Sequence, residues 1–373
     1  MKKLRIGLIG IGFMGKTHLW SVQNLPFFYK TNELGFTAEV AAVCASTLQR
    51  AEAFAAEYGI PRAVATPEEI LQDPSIDVVD ICTPNPLHFE VAKAAILAGK
   101  SVLCEKPLTV TAAEAAELAT LAAERDVVCG IVFNNRFLPS TLRAKQLIEE
   151  GRLGRILSFR CEYLHASASD PEKKAGWKQN KDICGAGTLY DLGAHAVDMM
   201  YHLCGKITKV KARSQIGFPT RLGTDGKPWV TNADEAFYMI CETEAGAIGS
   251  IEVSKLTVGS NDDFNFAVYG EKGSIRFSLM EPNWLWFYDG NAKNGSYGGD
   301  RGYTKLECCG RYGEPGGIFP SFKAPIGWLR GHLHSMYSFL DCVHNGRTVC
   351  PSLADGAEIQ KVLQMALDDD ERY

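Results

Sequence analysis

A glycine-rich segment, GIGFMG at residues 10–15, constrains the fold more than any other feature of this chain. An apolar run at residues 4–9 precedes it and predicts a buried strand, and a segment of helical period begins near Lys16. A strand, a glycine turn and a helix in this order begin a βαβ unit, in which the N-terminus of the helix attracts anions. The segment therefore indicates a turn that binds the phosphates of a dinucleotide.

The three glycines of this segment each have a separate use in such a turn. Gly10 permits the tight change of direction, Gly12 leaves space for the pyrophosphate, and Gly15 lets the helix approach the strand. We expect the intervening Phe13 and Met14 to contact the cofactor as well. The alternative is that the glycines serve the turn alone.

Up to about residue 130, apolar runs rich in Val and Ile alternate with Ala-rich segments of helical period. Strands that are apolar on both faces and alternate with helices are typical of a parallel sheet covered on both sides. This half is therefore predicted to be a doubly wound α/β domain of the Rossmann type, at residues 1–130. The predicted strands are residues 4–9, 39–44, 78–82, 101–104 and 127–132.

Beyond about residue 150 the pattern changes, and strand candidates follow one another with short turns between them. Such turns suit antiparallel connections. We predict a second α/β domain, residues 131–373, with a large and mostly antiparallel sheet, one helix at 187–203 and a Gly-rich surface loop at 289–317. The predicted strands are residues 156–163, 210–216, 236–243, 247–255, 264–269, 274–278 and 284–288.

Composition sets limits on the class of protein. Lys and Arg number 39 against 44 Asp and Glu, a net charge of −5, and no long basic run is present, so we exclude a nucleic-acid binder. No apolar run approaches the roughly 18 residues that span a bilayer, so we expect no membrane span. The length of 373 residues favours two sizeable domains over a single small module.

The 12 cysteines and the first residues both predict a cytoplasmic protein. The cysteines are spread through apolar segments without a CxxC pair, so we expect small buried side chains in a reducing compartment and no metal site. Lys2, Lys3 and Arg5 before an apolar stretch resemble a signal peptide. Three glycines interrupt that stretch, however, and no small-residue cleavage site follows.

The end of the second strand bears on the choice between NAD and NADP. An acidic residue usually binds the ribose 2'-hydroxyl of NAD at this place, but Ala45 stands here. Ser46, Thr47 and Arg50 follow, and they have the chemistry to bind a 2'-phosphate. The alternative is a solvated Arg50 with Ser46 on the ribose of NAD, so the sequence leaves both cofactors open.

Polar residues follow the predicted strands at residues 78–82 and 101–104, at the edge where open α/β sheets bind their ligands. Lys106 stands out, because a lysine between a buried strand and a proline is poorly placed for ordinary solvation. His88 has an equally good interpretation as a structural residue in the first turn of a helix. The candidate cofactor-binding residues at this edge are Thr83, Pro84, Asn85, His88, Glu105 and Lys106.

The segment GAGTLYDLGAHAVD at residues 185–198 carries an acid–base pair. If it is helical, Asp191, His195 and Asp198 share one face, at i, i+4 and i+7. A carboxylate next to an imidazole orients it and stabilises its protonated form, as a general base in alcohol oxidation requires. The alternative for Asp191 and His195 is an ordinary helix-surface interaction, and we expect Asp198 to brace the helix.

In this order and spacing, the motifs resemble the Gfo/Idh/MocA oxidoreductase family, the glucose-fructose oxidoreductase and inositol dehydrogenase type. The resemblance implies a Rossmann domain, a second domain with an open-faced sheet, and a homodimer or homotetramer. The family's catalytic lysine, aspartate and histidine match Lys106, Asp191 and His195. The segments that carry the resemblance are residues 10–15, 83–88, 105–107, 185–198, 234–252, 269–277 and 351–363, over nearly the whole chain.

The implied activity is hydride transfer between NAD or NADP and a secondary alcohol of a sugar, cyclitol or glycoside. In this interpretation His195 takes the hydroxyl proton, Lys106 stabilises the alkoxide, and Asp191 orients His195 or hydrogen-bonds the substrate. Two alternatives stay open: a tightly bound cofactor that is recycled between two sugars, and a non-catalytic sensor of the cofactor. A sensor has no need of these three residues together.

Aromatic residues outside the motifs have the shape to stack on a sugar ring or a larger aglycone. Tyr163, Trp177, Trp229 and Trp328 are the candidates, each with a core position as the alternative. Trp177 lies with Lys178 shortly before the segment that carries the acid–base pair, which makes these two the preferred pair. The candidate substrate-binding residues are Lys106, Tyr163, Trp177, Lys178, Asp191 and His195.

Overall fold

The structure is a computed structural model that describes residues 1–313, 316 and 319–372. The chain forms two compact units, and we call the first of them, Met1–Phe137 with Tyr312–Gln360, unit 1. Unit 2 is Leu138–Arg311 with Lys361–Tyr373. The segment Tyr312–Gln360 therefore lies with the N-terminal sheet, which a boundary between residues 130 and 131 does not anticipate. Over the described residues, no helix is long and apolar enough to cross a membrane.

Unit 1 is built on a six-stranded parallel sheet in the order β3-β2-β1-β4-β5-β6. This confirms the predicted doubly wound α/β fold. The three-residue strand β3 was not predicted, because so short a run gives no periodicity to detect. The strands are β1 Lys2–Ile9, β2 Phe36–Cys44, β3 Arg62–Val64, β4 Val78–Ile81, β5 Ser101–Cys104 and β6 Cys129–Ile131.

Helices follow most of these strands, and one late helix joins the same core. Helix α10 contributes Leu333, Phe339 and Leu340 to the apolar cluster that holds Ile6 of β1 and Leu19 of α1. The helices of the chain are, in order, α1 Phe13–Phe28, α2 Thr31–Leu34, α3 Leu48–Tyr58, α4 Pro67–Leu71, α5 His88–Leu97, α6 Ala112–Ala123, α7 Pro139–Glu149, α8 Lys181–Cys184, α9 Ala194–Cys204, α10 Trp328–Asn345 and α11 Leu353–Asp369.

Unit 2 is built on an eight-stranded sheet in the order β16-β15-β14-β13-β7-β12-β11-β8. Neighbours run antiparallel except for β7 and β12, which are parallel, so the predicted sheet is confirmed. Strands β9 and β10 form a separate pair. The strands are β7 Ile156–Leu164, β8 Ile207–Gln215, β9 Thr220–Leu222, β10 Pro228–Val230, β11 Ala236–Thr243, β12 Ile248–Ser254, β13 Asp263–Gly270, β14 Gly273–Ser278, β15 Trp284–Asp289 and β16 Tyr303–Glu307.

One face of this sheet is covered by helices and the other is open. Helices α7 and α9 pack on the covered face, against β15 and β7. Along β11 the side chains alternate accordingly: Phe237, Met239 and Cys241 are buried, whereas Tyr238 and Ile240 are exposed. This alternation follows from the two-residue period of a strand.

Two sequence expectations need correction. Part of the predicted surface loop at residues 289–317 is the edge strand β16, which is followed by the buried Cys308 and Cys309. Residues 314, 315 and 317 of that stretch lie outside the described residues. All 12 cysteines are free and nine are buried as expected, but Cys350 is exposed.

Candidate active site

The glycine-rich turn lies between β1 and α1, with the close contacts that its motif predicts. Gly10 has a φ of +101°, and a Cβ there would lie 2.4 Å from the carbonyl oxygen of Cys82. A Cβ on Gly15 would lie 2.1 Å from the carbonyl oxygen of Gly10. Around Gly12, the N-cap of α1, no described atom lies within 4 Å of such a Cβ, and no side chain caps the helix there. The first N–H groups of α1 are therefore open to phosphate oxygens.

The carboxyl end of β4 adds a second feature that suits a nucleotide. Thr83 Oγ1 is buried, yet among the described residues no hydrogen-bond partner is present for it. A buried hydroxyl without a partner costs free energy unless a ligand or water completes it. The residues of unit 1 therefore fit NAD or NADP, with phosphates at the glycine turn and Thr83 at the same sheet edge.

The structure brings together two of the predicted aromatic residues. The side chain of Phe13 is 73% exposed, and its ring stacks on that of Trp328 with centroids 5.6 Å apart. The ring of Trp328 in turn lies 4.1 Å from that of the buried His332. Met14, next to Phe13, is half-buried at the start of α1. The exposed Phe13 ring, supported by the half-buried Trp328, presents an apolar surface beside the glycine turn.

Ser46, Thr47 and Arg50 lie at the exposed end of β2, as predicted. The guanidinium of Arg50 donates a hydrogen bond to Ser46 Oγ at 2.8 Å. Thr47 caps helix α3 by accepting the backbone N–H of Arg50 at 3.3 Å. The guanidinium of Arg50 and the hydroxyl of Ser46 thus lie next to each other, where Rossmann folds bind the adenosine ribose.

His88 acts as a brace between the segments that follow β4 and β5. Its Nδ1 lies 2.8 Å from the carbonyl oxygen of Pro107, and its Nε2 lies 2.8 Å from that of Thr83. The residue is fully buried, and burial lowers its pKa. Pro84 and Asn85 lie just before it, at a short 3-10 turn. These contacts support the structural interpretation of His88, and its role toward the cofactor stays a prediction.

A buried charge network connects α1, β4 and β5. His18 Nδ1 lies 2.8 Å from Asp80 Oδ1, and His18 Nε2 lies 3.2 Å from Glu105 Oε1. Burial opposes the charge on His18, but the carboxylate of Asp80 and the nearby Cys82 raise its pKa well above the usual value. Burial likewise opposes ionisation of Glu105, yet the hydrogen bond and charge of His18 lower its pKa to about 2. The network is therefore an imidazolium held between two carboxylates.

This network also bears on Lys106 and on metal binding. Glu105 Oε2 accepts the backbone N–H of Lys106 at 3.0 Å, so the charged network fixes the start of the segment that carries this lysine. His18, Asp80 and Cys82 place donor atoms within 4.8 Å of one another. An imidazolium has no lone pair for a metal ion, and burial raises the pKa of the Cys82 thiol to about 12. This set favours charge pairing over metal ligation.

In unit 2, the segment that carries the acid–base pair is not one regular helix. The carboxylate of Asp234 accepts hydrogen bonds from the backbone N–H groups of Gly187 at 2.7 Å and Leu189 at 2.8 Å, at the start of the helical segment. The next turn, Leu189–Gly193, is π-helical, and α9 begins after it. Turns of this type are frequent at functional sites. The helix that was predicted as one element over residues 187–203 is therefore interrupted by a π-helical turn. The periodicity of the sequence does not distinguish such a turn from a regular α-helical one.

Asp191 lies in the π-helical turn, and two lysines contact its carboxylate. Lys178 Nζ lies 3.1 Å from Oδ1 and 3.0 Å from Oδ2, and Lys255 Nζ lies 2.7 Å from Oδ2. His195 follows in the first turn of α9 and is half-buried, whereas Asp198 is buried. The carboxylate beside His195 is thus doubly paired with ammonium groups.

A second carboxylate, that of Asp262, lies near His195. Asp262 Oδ1 accepts the hydroxyl of Tyr163 at 2.7 Å and lies 3.0 Å from His165 Nε2. The rings of Tyr163 and His195 meet edge to face with centroids 6.0 Å apart. Burial opposes the ionisation of Asp262, but hydrogen bonds from His165 and Tyr163 and the charge of His195 lower its pKa. Asp262 is therefore a carboxylate whose charge interacts with that of His195.

The remaining predicted residues lie at different places in unit 2. Trp177 is half-buried beside Lys178, whose ammonium lies 5.7 Å from the indole ring. Trp229 lies in the short strand β10, and Tyr163 is buried with its ring against Phe264. The roles of these aromatic residues in sugar stacking stay predictions.

Sequence reasoning missed three residues of this cluster. Lys255 directly follows strand β12, as a lysine after a strand, but it lacks the following proline that singled out Lys106. His165 follows β7, and Asp262 precedes β13. Strands β7 and β13 pair antiparallel, with Leu164 opposite Asp263, and this pairing brings His165 and Asp262 together.

The Rossmann fold and the glycine-rich turn of unit 1 indicate an enzyme that binds a nicotinamide dinucleotide. Residues 4–133 match the family described as oxidoreductase family, NAD-binding Rossmann fold, and residues 141–276 match the GFO/IDH/MocA C-terminal domain. The chain belongs to the Gfo/Idh/MocA oxidoreductase family. The predicted family and the predicted NAD(P)-dependent enzyme class are confirmed.

Relatives with full-length similarity support this assignment. The chain is 34% identical over 384 aligned positions to levoglucosan dehydrogenase of Pseudarthrobacter phenanthrenivorans, covering 99% of this chain and 95% of the relative. A structure of levoglucosan dehydrogenase with NADH and levoglucosan has a TM-score of 0.93 at 30% identity, covering 99% of this chain and 97% of that one. The scyllo-inositol 2-dehydrogenase (NADP(+)) IolW of Bacillus subtilis is 34% identical over 209 positions, 56% of this chain and 54% of that protein.

Proposed function

We propose that this chain transfers a hydride between NAD or NADP and a secondary alcohol of a sugar, cyclitol or glycoside. The observation that carries the proposal is the cluster of charged groups in unit 2, in which Asp191 is paired with two lysines and Asp262 lies near His195. Similarity to levoglucosan dehydrogenase over 99% of the chain supports a sugar, and an anhydrosugar first, as the substrate.

The residues of this chain hold and move the proton. When bound, the nicotinamide accepts or donates the hydride. His195 accepts the hydroxyl proton as general base, a contribution of typically about 100 to 10,000-fold in rate. The ammonium of Lys106 stabilises the negative charge that develops on the alcohol oxygen. Asp191 orients His195 or accepts a hydrogen bond from a substrate hydroxyl.

For the cofactor, the proposal is that both NAD and NADP bind. Ala45 leaves no carboxylate to repel a 2'-phosphate, and the paired Ser46 and Arg50 supply a hydroxyl and a guanidinium. The same hydroxyl is able to accept a hydrogen bond from the ribose of NAD. Direct binding measurements with NADH and NADPH test this choice without any substrate.

For the assembly, the proposal is that a second copy covers the open face of the unit 2 sheet. Tyr238, Ile240 and Ile248 are 41%, 53% and 55% exposed on strands β11 and β12. Contiguous exposed apolar side chains are typical of protein contacts. Light scattering should give a dimer or tetramer, and Ile240→Lys should shift it towards the monomer. A wild-type monomer would contradict this part of the proposal.

The experiment for the activity starts from the protein as purified. Any nucleotide that copurifies is identified by absorbance and mass. A panel of levoglucosan, L-sorbose, scyllo-inositol and D-xylose is then read at about 340 nm, where reduced nicotinamide absorbs, with NAD and with NADP. We expect reduction of added cofactor by at least one member of the panel. Bound nucleotide without turnover on any sugar or cyclitol would favour the sensor instead.

The recycling alternative gives a different result in the same assays. If the cofactor stays bound, one sugar is oxidised and another reduced without added nicotinamide. Product analysis with pairs of panel compounds separates this case from simple dehydrogenation.

A further inference from the structure

We propose that Lys255 is a positioning residue, whose ammonium fixes the carboxylate of Asp191 in the orientation that His195 requires. The inference rests on the proposed function and assigns to this lysine a role in it. Lys178 contacts the same carboxylate but has a different role in this proposal. Its ammonium leaves Asp191 and contacts the substrate when the substrate binds.

The two lysines differ in their exposure to water. The Lys255 side chain is 12% exposed and that of Lys178 is 45% exposed, with Asp191 at 25%. An ion pair in water contributes only about 0 to 1 kcal/mol, because water competes for both charges. A shielded pair cannot be broken at so low a cost, because each charge would lose its partner without gaining full solvation. Lys255 is therefore the stronger constraint on the carboxylate.

The backbone of Lys255 is fixed on both sides, and this holds its ammonium in place. Its N–H donates to the carbonyl oxygen of Glu235 at 2.9 Å, and its own carbonyl accepts the N–H of Ala168 at 2.8 Å. Glu235 is itself buried in an ion pair with Arg221 at 2.6 Å. Lys178, in contrast, lies on the short 3-10 turn Trp177–Gln179 and has the Trp177 ring as a second partner.

The two lysines approach the carboxylate of Asp191 differently. Lys255 Nζ lies 2.7 Å from Oδ2, whereas Lys178 Nζ is almost equally close to both oxygens, at 3.0 and 3.1 Å. When Lys178 turns towards a substrate, Oδ2 stays on Lys255 and Oδ1 becomes available to His195 or to a sugar hydroxyl. Lys255 thus fixes the carboxylate while Lys178 moves.

The first experiment compares matched substitutions in steady-state kinetics, with the panel compound that gives the highest kcat/KM. Lys255→Met should lower kcat about 100-fold with little change in KM, because small misplacement of a catalytic group has an effect of this size. Lys178→Met should mainly raise KM and leave kcat within about fivefold of wild type. Equal losses of kcat in the two variants would overturn the proposal.

Control variants separate positioning from folding. Lys209 is 72% exposed on β8 and pairs with Glu242, so Lys209→Met should leave kcat and KM unchanged. Lys255→Arg keeps the charge and should recover kcat to within about tenfold of wild type. If Lys255→Met does not fold, as judged by its thermal unfolding, Lys255→Gln and Lys255→Arg take its place in the comparison. Failure of Lys255→Arg to recover kcat in a folded protein would contradict the proposal.

A double-mutant cycle shows whether Lys255 acts through Asp191. On the Asp191→Asn background, Lys255→Met should have almost no further effect on kcat, because the group it positions is already lost. If the two losses multiply instead, Lys255 acts elsewhere and the proposal fails.

A measurement without substrate distinguishes failure of this inference from failure of the proposed function. The chain has 8 histidines, which NMR with labelled imidazole carbons can follow, and His195 is assigned by the signal that His195→Gln removes. The charged or titratable groups around His195 are Asp191, Lys178, Lys255, Asp262, His165 and Tyr163.

Loss of the Lys255 ammonium should move the His195 titration midpoint to higher pH, because a nearby positive charge disfavours the imidazolium. An unchanged midpoint would overturn the positioning role. A shifted midpoint in a protein without turnover on any panel compound would leave this inference standing and remove the proposed function.

Discussion

The two units hold their carboxylates in opposite ways. In unit 1, Asp80 and Glu105 are 1% and 4% exposed and share the imidazolium of His18. In unit 2, the Asp191 side chain is 25% exposed. It is paired with Lys255, which is shielded from water, and with Lys178, which is exposed. The first arrangement is closed to solvent, and the second is open on one side.

This difference separates a structural network from a reactive one. A carboxylate that is buried with both partners fixed contributes to the shape of the fold, and its loss leaves an uncompensated charge inside the protein. A carboxylate with one replaceable partner is able to exchange that partner for a substrate. The contrast predicts that substitutions in the His18 network act mainly on stability and those around Asp191 mainly on the kinetic constants.

The largest expected effect on stability comes from His18. His18→Gln leaves two buried carboxylates without their shared cation, and we expect the free energy of unfolding to fall by about 3 to 5 kcal/mol. The matched change in unit 2, Lys178→Met, should cost less than about 1 kcal/mol, because its pair is largely exposed. Urea unfolding followed by circular dichroism measures both. Equal losses of unfolding free energy in His18→Gln and Lys178→Met would contradict the proposed difference between the two units.

The pH dependence of stability sharpens the same contrast. The pKa of Glu105 is about 2 in the folded protein against an ordinary value of 4.5, so its contribution is fully present above pH 4.5 and is lost as the pH falls towards 2. The contribution is about 3 kcal/mol. Urea unfolding of wild type and Glu105→Gln at several pH values should give a difference that shrinks over this window. A constant difference would mean that Glu105 is not held ionised by the network.

His18 gives the opposite dependence. Its pKa is raised above the ordinary 6.5, so its contribution is fully present below pH 6.5 and is lost as the pH rises through the folded value. In His18→Gln this alkaline decline should be absent.

The smallest of these effects concerns the cofactor. Arg50→Ala removes the guanidinium that hydrogen-bonds Ser46 and should weaken NADPH binding about 10- to 100-fold, as expected for a charge-assisted contact to phosphate. NADH binding should change little, because the ribose hydroxyl offers no charge. Nucleotide fluorescence gives both dissociation constants. An equal loss for both cofactors would assign Arg50 to the fold of helix α3 instead.

Much of the fold could be predicted from local sequence patterns. Strands β1, β4 and β5 are short apolar runs that end in glycine or polar motifs, and such runs have few other interpretations. Helix α10 shows the limit: its pattern predicts a helix, but nothing local indicates that Leu333 and Phe339 pack with the core of unit 1. The edge strand β16 lies in a glycine-rich stretch, which conceals its strand pattern.

The candidate site was predictable where its residues lie in one motif. Asp191 and His195 are four residues apart, and Lys178 lies nearby in sequence. Lys255 and Asp262 are 60 or more residues away from Asp191 and His195 and reach the cluster through the pairing of β7 with β12 and β13. Sequence spacing carries no signal for such non-local contacts, and the π-helical turn at Leu189–Gly193 likewise has no periodic signature.

The most direct test of the account is turnover by His195→Ala and Lys106→Ala, read at about 340 nm with the best compound of the panel. Nucleotide binding and thermal unfolding are measured on the same samples. The account predicts that kcat falls about 100- to 10,000-fold in His195→Ala and also falls strongly in Lys106→Ala, with bound nucleotide and fold retained. Unchanged turnover in both variants would contradict it.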